Sequence, residues 1–334
     1  MGSVQSDVNT FIIDNKEYVS LKSVGKGSFG SVYLVEDKNG SKFILKIIVN
    51  NNNLYNEIYI MKLLSYYPCN PYIICLYDYE ITKDNIYILM EYNTGSDMKK
   101  FLKEYKNKST DFDMFDKWFR QAIMGLSHIH KLGIIHRDIK PSNFLIDKDE
   151  NLKYIDFGLS KLHKKNEHVS VYSGTKCYKE PFLKNGCYYT DIYALGITFV
   201  YMLNPTIDLC NIKSVYDTID SVKFPLKYKF YKDLLHKMTR ITPNRPSARE
   251  ILNYLKSNGT KYLAIKDYKK CLPEDVKDVK NVKDVKDAKD VKDVKDVKEV
   301  KEVKEVKEVK EVKEVKEVKD VKEVKEVKVK NKIK

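Results

Sequence analysis

The sequence lacks closely paired cysteines, a signal-peptide pattern and a long uninterrupted apolar run. Its six cysteines include no Cys-x-x-Cys pair, and no signal peptide precedes them. Its longest apolar run, residues 192–203, is interrupted by Tyr, Gly and Thr and is too short to span a bilayer. We therefore predict reduced cysteines, a cytoplasmic or nuclear setting, and a buried helix at this run.

The first six residues, Met-Gly-Ser-Val-Gln-Ser, fit the pattern for N-myristoylation at Gly2. Asp7 is not the basic residue that would strengthen the pattern, so a plain disordered start is the alternative. A single acyl chain would anchor the protein only weakly. Membrane tethering is therefore expected only if Gly2 is modified.

The C-terminal part of the chain is a repeat. Residues 275–328 are eighteen charged triplets that hold 18 Lys and 17 acidic residues. A period of three matches neither the helix nor the strand, so the valines form no fixed apolar face. We predict disorder or a fluctuating helix for residues 275–334. A coiled coil that binds a partner, or a lipid-binding helix, is the alternative.

The net charge of +14 belongs mostly to the body of the chain. The repeat contributes +1 and the last six residues contribute +3, which leaves about +10 for residues 1–274. Excess positive charge favours acidic partners without sequence specificity. We predict no specific nucleic-acid partner, because a generally lysine-rich composition is sufficient to explain the positive charge.

The hydrophobic periodicity changes along the body of the chain. Residues 17–49 alternate apolar and polar positions, which predicts strands. A helix is predicted at 54–64, and a further strand at 86–92. From Met98 the period is helical, and residues 112–131 carry an apolar stripe that a helix would bury. Further helices are predicted at 191–203, 231–238 and 246–258. This order indicates an α+β domain of two lobes with a cleft between them.

Two motifs carry most of the chemistry: His-Arg-Asp-Ile-Lys-Pro-Ser-Asn at residues 136–143 and Asp-Phe-Gly at 156–158. They supply carboxylates, a lysine and an asparagine, which suit the binding of magnesium and a nucleotide phosphate beside an acceptor hydroxyl. The motifs resemble those of the eukaryotic-type protein kinases. The resemblance implies the two-lobed kinase fold, protein substrates, and ATP with Mg²⁺, or Mn²⁺ in its place.

By the same resemblance, Asp138 is the base that orients the acceptor hydroxyl, and Lys140 neutralises the γ-phosphate. Lys140, together with Thr175 in the substrate-docking loop, resembles the serine/threonine-specific kinases. Asn143 and Asp156 are the expected magnesium ligands, because magnesium prefers hard oxygen ligands.

A glycine-rich stretch at residues 25–32, Gly-x-Gly-x-x-Gly-x-Val, lies between two strand-like runs. A dinucleotide-binding fingerprint would open a helix instead, so the context favours the kinase hairpin that covers the phosphates. Glycines let backbone amides approach phosphates without a side-chain clash. The expected nucleotide contacts here are Val24, Gly25, Lys26, Gly27, Ser28, Phe29, Gly30, Ser31 and Val32.

Lys46 follows this loop at the position of the kinase strand-three lysine, and Glu57 lies on the next predicted helix. The resemblance implies that Lys46 contacts the α- and β-phosphates and pairs with Glu57. Ile44 stands where the family usually has a small alanine, so we expect a narrower adenine pocket. The remaining expected nucleotide contacts resemble the kinase hinge and its surroundings: Met90, Glu91, Asn93, Asp97 and Leu145.

The chain departs from the kinase pattern after the docking loop. Glu-Pro-Phe at 180–182 replaces the family's Ala-Pro-Glu, whose glutamate usually pairs with a buried arginine. Because an unpaired buried charge is costly, we expect Glu180 to pair with Arg245 in its place.

Two further residues relate to the catalytic loop. Asp191 matches the helix-start aspartate that braces this loop. Arg137 needs an anion, which a phosphate group within residues 159–173 would supply. The candidate sites for this phosphate are Ser170, Tyr172 and Ser173.

The predicted organisation has four parts: a flexible N-terminus at 1–13, a kinase domain at 14–258, a linker at 259–274 and the tail at 275–334. The N-lobe covers 14–92 and the C-lobe covers 93–258. The predicted function is transfer of the ATP γ-phosphoryl group to serine or threonine. One alternative is a binding-only pseudokinase, which Ile44 and the missing Pro-Glu pair favour. The other assigns the main role to the tail as an interaction module.

Overall fold

The structure is a computed structural model of the chain. It describes residues 9–27, 30–50, 55–65, 68–104, 111–163, 169–170, 174–181, 185–240 and 245–257. Strands dominate the first part and helices the rest, so the predicted two-lobed α+β class is confirmed. Within these residues no helix is both long enough and apolar enough to cross a bilayer. The predicted linker and tail lie outside the described residues.

The first lobe is built on a six-stranded antiparallel sheet with the order β1-β2-β3-β4-β6-β5. Its strands are β1 (Thr10–Ile13), β2 (Lys16–Gly27), β3 (Gly30–Asp37), β4 (Lys42–Val49), β5 (Leu76–Ile81) and β6 (Asn85–Glu91). Helix α1 (Tyr55–Leu64) connects β4 to β5 along the chain. The strands and the helix predicted in this lobe are therefore confirmed.

The sheet buries apolar side chains on both of its faces, because successive residues of a strand point to opposite sides. In β6, Leu89 belongs to one apolar cluster, whereas Ile88 and Met90 belong to another. The second cluster also contains Ile58 and Met61 of α1. Helix α1 is thus held against one face of the sheet by apolar burial, which positions the residues at its N-terminus.

The sheet begins before the predicted domain boundary at residue 14. We expected a flexible N-terminus through residue 13, but β1 pairs with β2 in register, with Thr10 opposite Val19. Ile13 is completely buried. A four-residue strand beside a turn gives a weak periodic signal, and this explains why the sequence did not indicate it.

The second lobe is mainly helical. Its helices are α2 (Met98–Glu104), α3 (Phe112–Lys131), α4 (Tyr188–Leu203), α5 (Ile212–Ser221), α6 (Phe230–Thr239) and α7 (Ala248–Lys256). Short strands form three small sheets, β7-β9-β10, β8-β11 and β12-β13. These strands are β7 (Ser96–Asp97), β8 (Ile134–Ile135), β9 (Phe144–Ile146), β10 (Leu152–Tyr154), β11 (Lys161–Leu162), β12 (Val169–Ser170) and β13 (Asn185–Gly186). Helix α5 was not predicted, and α4 begins three residues before the predicted start.

Helix α3 forms where its pattern places it. The side chain of Asp111 accepts a hydrogen bond from the Met114 amide at 2.9 Å, which satisfies a donor at the helix start. Every residue of the predicted apolar stripe is buried: Phe115, Trp118, Phe119, Ala122, Ile123, Leu126 and Ile129. The last helix, α7, begins at a capping box in which Ser247 and Glu250 bond reciprocally.

Four of the five cysteines that the structure describes form disulfides, which differs from the expectation of reduced thiols. Cys69 is joined to Cys75, with their Cα atoms 5.8 Å apart, and Cys177 is joined to Cys210, with their Cα atoms 4.5 Å apart. Cys187 is buried and lies outside both bonds. The second pair is 33 residues apart in sequence, so spacing alone gave no indication that these side chains meet.

Candidate active site

The catalytic loop, residues 136–143, connects β8 to β9, and Asp191 of α4 hydrogen-bonds to its backbone. The buried carboxylate of Asp191 accepts hydrogen bonds from the backbone amides of His136 at 2.7 Å and Arg137 at 2.9 Å. Its Oδ2 also lies 3.0 Å from Nε2 of His130. Arg137 has a φ of +69°, a conformation that side chains rarely adopt. Asp191 therefore stabilises a left-handed backbone turn at Arg137, immediately before Asp138.

Asp138 lies at the centre of a polar network. Lys140 Nζ donates to its Oδ2 at 2.7 Å, and Asn143 Nδ2 donates to the same oxygen at 2.9 Å. The hydroxyl of Thr175 donates to Oδ1 at 2.8 Å, and the Thr175 amide donates to it at 3.1 Å. Lys140 Nζ also donates to Thr175 Oγ1 at 2.8 Å. The structure thus brings the predicted base, the predicted phosphate-binding lysine and the docking-loop threonine into contact.

The charge of Asp138 follows from these donors. Burial by itself raises the pKa of the Asp138 carboxyl, but hydrogen bonds from Lys140, Thr175 and Asn143, with the positive charge of Lys140, outweigh it. The pKa of Asp138 is therefore held below the ordinary value of an aspartate. A carboxylate that stays ionised is able to accept a hydrogen bond from an acceptor hydroxyl.

The docking segment approaches the catalytic loop so closely that it requires a glycine. Gly174 has a φ of +98°, and a Cβ placed on it would lie 2.4 Å from the carbonyl oxygen of Arg137. Any side chain there would push Thr175 away from Asp138. The Gly174-Thr175 pair is thus a geometric condition for the network around Asp138.

On the first lobe, Lys46 and Glu57 form a buried ion pair. Lys46 Nζ lies 2.7 Å from Glu57 Oε1 and 3.4 Å from Asp156 Oδ1. Burial by itself lowers the pKa of Lys46, but the charges of Glu57 and Asp156 outweigh it, so the pKa is raised. Burial also raises the pKa of Glu57, and Lys46 opposes that rise. Lys46 therefore carries a positive charge that joins α1 to the residue expected to bind magnesium.

Asn143 and Asp156 provide a donor set that fits magnesium. Asn143 Nδ2 donates to the carbonyl oxygen of Asp138 at 2.8 Å as well as to its carboxylate, which leaves the amide oxygen as the atom for a cation. The Asp156 side chain is 27% exposed, and its Oδ1 accepts from the Gly158 amide at 3.1 Å. One amide oxygen and one carboxylate suit magnesium, which takes its other ligands from phosphate and water.

The glycine-rich stretch forms the hairpin between β2 and β3, as expected for a loop between strands. A Cβ on Gly30 would lie 2.0 Å from the carbonyl oxygen of Ile47, so close strand packing requires this glycine. A Cβ on Gly25 would meet no atom within 4 Å, which leaves room for a ligand. Val24, Lys26 and Gly27 lie on β2, whereas Ser31 and Val32 lie on β3. Ser28 and Phe29 lie outside the described residues.

Val32 and Ile44 both lie beside residues of the expected pocket. Val32 is opposite Lys46 in the β3-β4 register, and Ile44 is opposite Met90 in the β4-β6 register. Met90 is buried. The structure therefore places the bulky Ile44 next to the residue expected to guard the back of the pocket.

The remaining hinge residues have structural partners of their own. The Glu91 carboxylate lies 2.5 Å from Lys153 Nζ, and Asn93 follows two residues later. Asp97 accepts from the Lys100 amide at 2.9 Å at the start of α2, and it lies opposite Leu145 in the β7-β9 register. Because the Asp97 side chain caps α2 in this structure, its predicted contact with the ribose stays a prediction.

Sequence reasoning missed two residues that support the site. Lys153, on β10, forms an ion pair with Glu91, which lies 62 residues earlier in the sequence. Asn56, next to Glu57, donates to the carbonyl oxygen of Ser160 at 2.7 Å and so ties α1 to the segment after Asp156. Neither residue belongs to a recognisable motif, so no signal in the sequence would have identified it.

The predicted contact between Glu180 and Arg245 is present. Arg245 donates through Nη1 to Glu180 Oε2 at 2.6 Å, and its Nη2 lies 2.6 Å from Glu180 Oε1 as part of the same ion pair. The two side chains are 1% and 5% exposed. The Arg245 guanidinium also lies 5.0 Å from the ring centroid of Tyr193 on α4. The docking segment is thus anchored to the helical core despite the missing Ala-Pro-Glu motif.

One of the three candidate phosphorylation sites is described. Ser170 lies on β12, opposite Asn185 of β13. Tyr172 and Ser173 lie outside the described residues. Phosphorylation of this segment stays a prediction.

Comparison with known proteins defines the class of this fold and site. Residues 18–255 match the protein kinase domain, and this chain belongs to the protein kinase family. It is 28% identical, over 77% of its length, to the probable serine/threonine-protein kinase KIN1 homolog of Enterocytozoon bieneusi (strain H348). It is 29% identical, over 70% of its length, to human NUAK family SNF1-like kinase 1. The matches cover 46% and 37% of those two relatives, so the chain spans less than half of each.

A third relative is matched over more of its length. The probable serine/threonine-protein kinase nek2 of Dictyostelium discoideum is 30% identical over 71% of this chain and 62% of that relative. Each of the three relatives is thus matched over 70–77% of this chain.

Proposed function

We propose that this protein transfers the γ-phosphoryl group of ATP to serine or threonine hydroxyls of protein substrates. The observation that carries the proposal is the contact of Asp138 with Lys140, Asn143 and Thr175. Two of the relatives are named as probable serine/threonine-protein kinases, which supports the same reaction.

Asp138 would act by orientation. Because the transition state of phosphoryl transfer is loose, a base has to position the acceptor hydroxyl more than deprotonate it strongly. An acceptor hydroxyl would take the place of the Thr175 hydroxyl at Asp138 Oδ1, now 2.8 Å away. Lys140, bound to the other carboxylate oxygen at 2.7 Å, would stabilise the charge that develops on the transferred group.

The two lobes would hold the nucleotide from opposite sides. Lys46, kept charged and oriented by Glu57, would contact the α- and β-phosphates, and the amides of the β2-β3 hairpin would cover them. Asn143 and Asp156 would hold magnesium, which neutralises phosphate charge when bound. The link between Lys46 and Asp156 favours a common cavity for both groups.

We also propose serine/threonine specificity and a cytoplasmic or nuclear setting. Thr175 and Lys140, the two residues that resemble serine/threonine-specific kinases, form one hydrogen-bonded unit beside Asp138, which supports this specificity. Membrane tethering would require modification of Gly2, and a partner for the tail stays a separate proposal.

The experiment is incubation of the full chain with labelled ATP, Mg²⁺ and a degenerate peptide library, which identifies the acceptor residue and its flanking preference. Asp138→Asn should lower transfer at least about 100-fold, the usual contribution of a positioned acid or base. The ATP- and Mg²⁺-dependent thermal shift should persist in that variant. Asp84→Asn, which removes an exposed carboxylate in the turn between β5 and β6, is the matched control.

The same experiment distinguishes the pseudokinase alternative. A binding-only protein would show the thermal shift with ATP and Mg²⁺ but no label on any peptide, and no autophosphorylation to be lost in Asp138→Asn. Absence of both the thermal shift and the label would refute the enzyme assignment itself.

A further inference from the structure

A disulfide joins the docking segment to a loop of the helical lobe. Cys177 lies two residues after Thr175, and Cys210 lies in the loop between α4 and α5. Thr175 itself bonds directly to Asp138. The bond between Cys177 and Cys210 therefore restrains a segment that takes part in the candidate active site.

The backbone at Cys177 adopts a conformation that needs support. The Tyr178 amide donates to the Thr175 carbonyl oxygen at 3.2 Å, which closes a turn over Lys176 and Cys177. Cys177 has a φ of +70°, in the left-handed region that favours glycine. A residue in this region persists only where its surroundings hold it there. The bond to Cys210 supplies such a restraint for Cys177.

Redox reagents are able to reach this pair. Cys210 is exposed and Cys177 is half-buried, in contrast to the buried Cys187. A disulfide with an exposed sulfur is open to attack by a thiolate, and an exposed thiol is open to oxidation by a peroxide.

We propose that Cys177 and Cys210 form a reversible oxidation site that controls how tightly protein substrates bind beside Thr175. Its effect on turnover rests on the proposed kinase activity, whereas the oxidation itself does not. The oxidant would be a peroxide, and the reductant would be a dithiol.

The oxidation balances as two steps. A peroxide takes two electrons from the Cys210 thiolate, giving a sulfenic acid and hydroxide. The Cys177 thiolate then attacks that sulfur and displaces the hydroxyl group, which leaves as water after gaining a proton, so the S–S bond forms.

The reduction reverses this outcome with a different reagent. A dithiol thiolate attacks Cys210 Sγ and releases Cys177 as a thiolate, and its second thiol then releases Cys210. The products are two protein thiols and the oxidised dithiol.

In the oxidised state the docking segment is in contact with the catalytic loop. With the bond present, Thr175 contacts Asp138 and Lys140. Without it, the two sulfurs move apart to van der Waals distance, and the turn at Cys177 loses its restraint. Substrate binding then has to order the segment again, which weakens binding of the peptide. Lys46 and Asp156 lie outside this segment, so nucleotide binding stays the same.

The test uses the full chain treated with hydrogen peroxide or with dithiothreitol. Reduction should raise the KM for the peptide about fivefold, the effect of reordering roughly one residue of backbone, and leave the KM for ATP unchanged. Cys210→Ser should show the higher peptide KM under both treatments. Cys69→Ser, which removes the other disulfide, should respond to the two reagents as the unmodified chain does.

Two measurements are independent of turnover. Peptide mapping without reductant should find residues 177 and 210 in one linked fragment after peroxide treatment. Amide hydrogen exchange in residues 174–181 should increase on reduction and in Cys210→Ser.

Absence of the linked fragment, unchanged exchange, or a full redox response in Cys210→Ser would each overturn the oxidation site. A linked fragment with redox-dependent exchange, but no phosphoryl transfer in either state, would support the site and contradict the proposed function instead.

Discussion

Asp138 stays negatively charged because three side chains donate to its two oxygens. The same donors connect the catalytic loop to the docking segment through Thr175. These hydrogen bonds thus set both the charge and the position of the carboxylate. Replacing Asp138 should therefore change how the free energy of unfolding depends on pH.

We predict a pH-dependent stability difference between the unmodified chain and Asp138→Asn. Because the folded-state pKa of Asp138 is lowered, its ionised form stabilises the fold above the unfolded aspartate pKa of about 4. That contribution is lost as the pH falls through the folded pKa. The free energy of unfolding, measured from pH 7 to pH 3, should therefore converge for the two proteins at the acid end.

The control for this prediction is Asp84→Asn, whose side chain is exposed. It accounts for the loss of one negative charge from a basic protein. A difference for Asp138→Asn that stayed constant over the whole range would contradict the lowered pKa.

The pairing of Lys46 with Asp156 leads to a second prediction at the residue scale. Asp156→Asn should lower the thermal shift that Mg²⁺ adds to ATP, because an amide replaces the charged magnesium ligand. Asp147→Asn, in the turn between β9 and β10, is a matched aspartate outside the site. An equal Mg²⁺-dependent shift in Asp156→Asn and the unmodified chain would remove Asp156 from the proposed metal site.

At the scale of elements, α4 contacts the catalytic loop and, through Arg245, supports the docking segment. Its first turn carries Asp191, which bonds two backbone amides of the catalytic loop. Tyr193, two residues on, faces the guanidinium of Arg245, and Arg245 binds Glu180 in the docking segment. One helix thus fixes the position of both segments that meet at Asp138.

The third prediction concerns the ion pair that replaces the usual motif. Glu180→Gln should lower the free energy of unfolding by about 3–5 kcal/mol, because Arg245 would be left buried without its anion. The melting temperature should fall by about 10 °C for a domain of this size. Glu17→Gln, at an exposed position on β2, should leave the melting temperature nearly unchanged. Equal melting temperatures for the two variants would show that the pair contributes no stability.

At the scale of the whole molecule, the match to the kinase family covers residues 18–255. The repeat at 275–328 nearly balances its charges, so it adds little to the positive charge of the rest of the chain. The proposed phosphoryl transfer and any role of the repeat can therefore be tested separately by truncation.

We predict that deletion of residues 275–334 leaves the melting temperature of the domain nearly unchanged. The kcat/KM for peptide should stay within about twofold, since the deletion removes none of the contacts around Asp138. Deletion of residues 248–334, which also removes α7 and its packing against α3, should prevent folding and serves as the positive control for damage. A tenfold loss of kcat/KM in the shorter deletion would favour the alternative in which the tail is central to function.

Much of the fold was predictable because its signals are local. The stripe of α3 and the alternation in β3 and β4 follow from periodicity, and the motifs around Asp138 and Asp156 indicated the chemistry of the site. Strand β1 was missed because four residues of strand give a weak pattern. Helix α5 was missed although Val215, Thr218 and Ile219 are buried at helical spacing, because it spans only ten residues.

The sequence by itself determined which reactive groups are available, because motif spacing places an acid, an amide and a lysine on one short loop. Only the tertiary structure decided which distant side chains meet: Glu91 with Lys153, and Cys177 with Cys210. Such contacts depend on how helices and strands pack against one another, and periodicity along the chain carries no information about that packing.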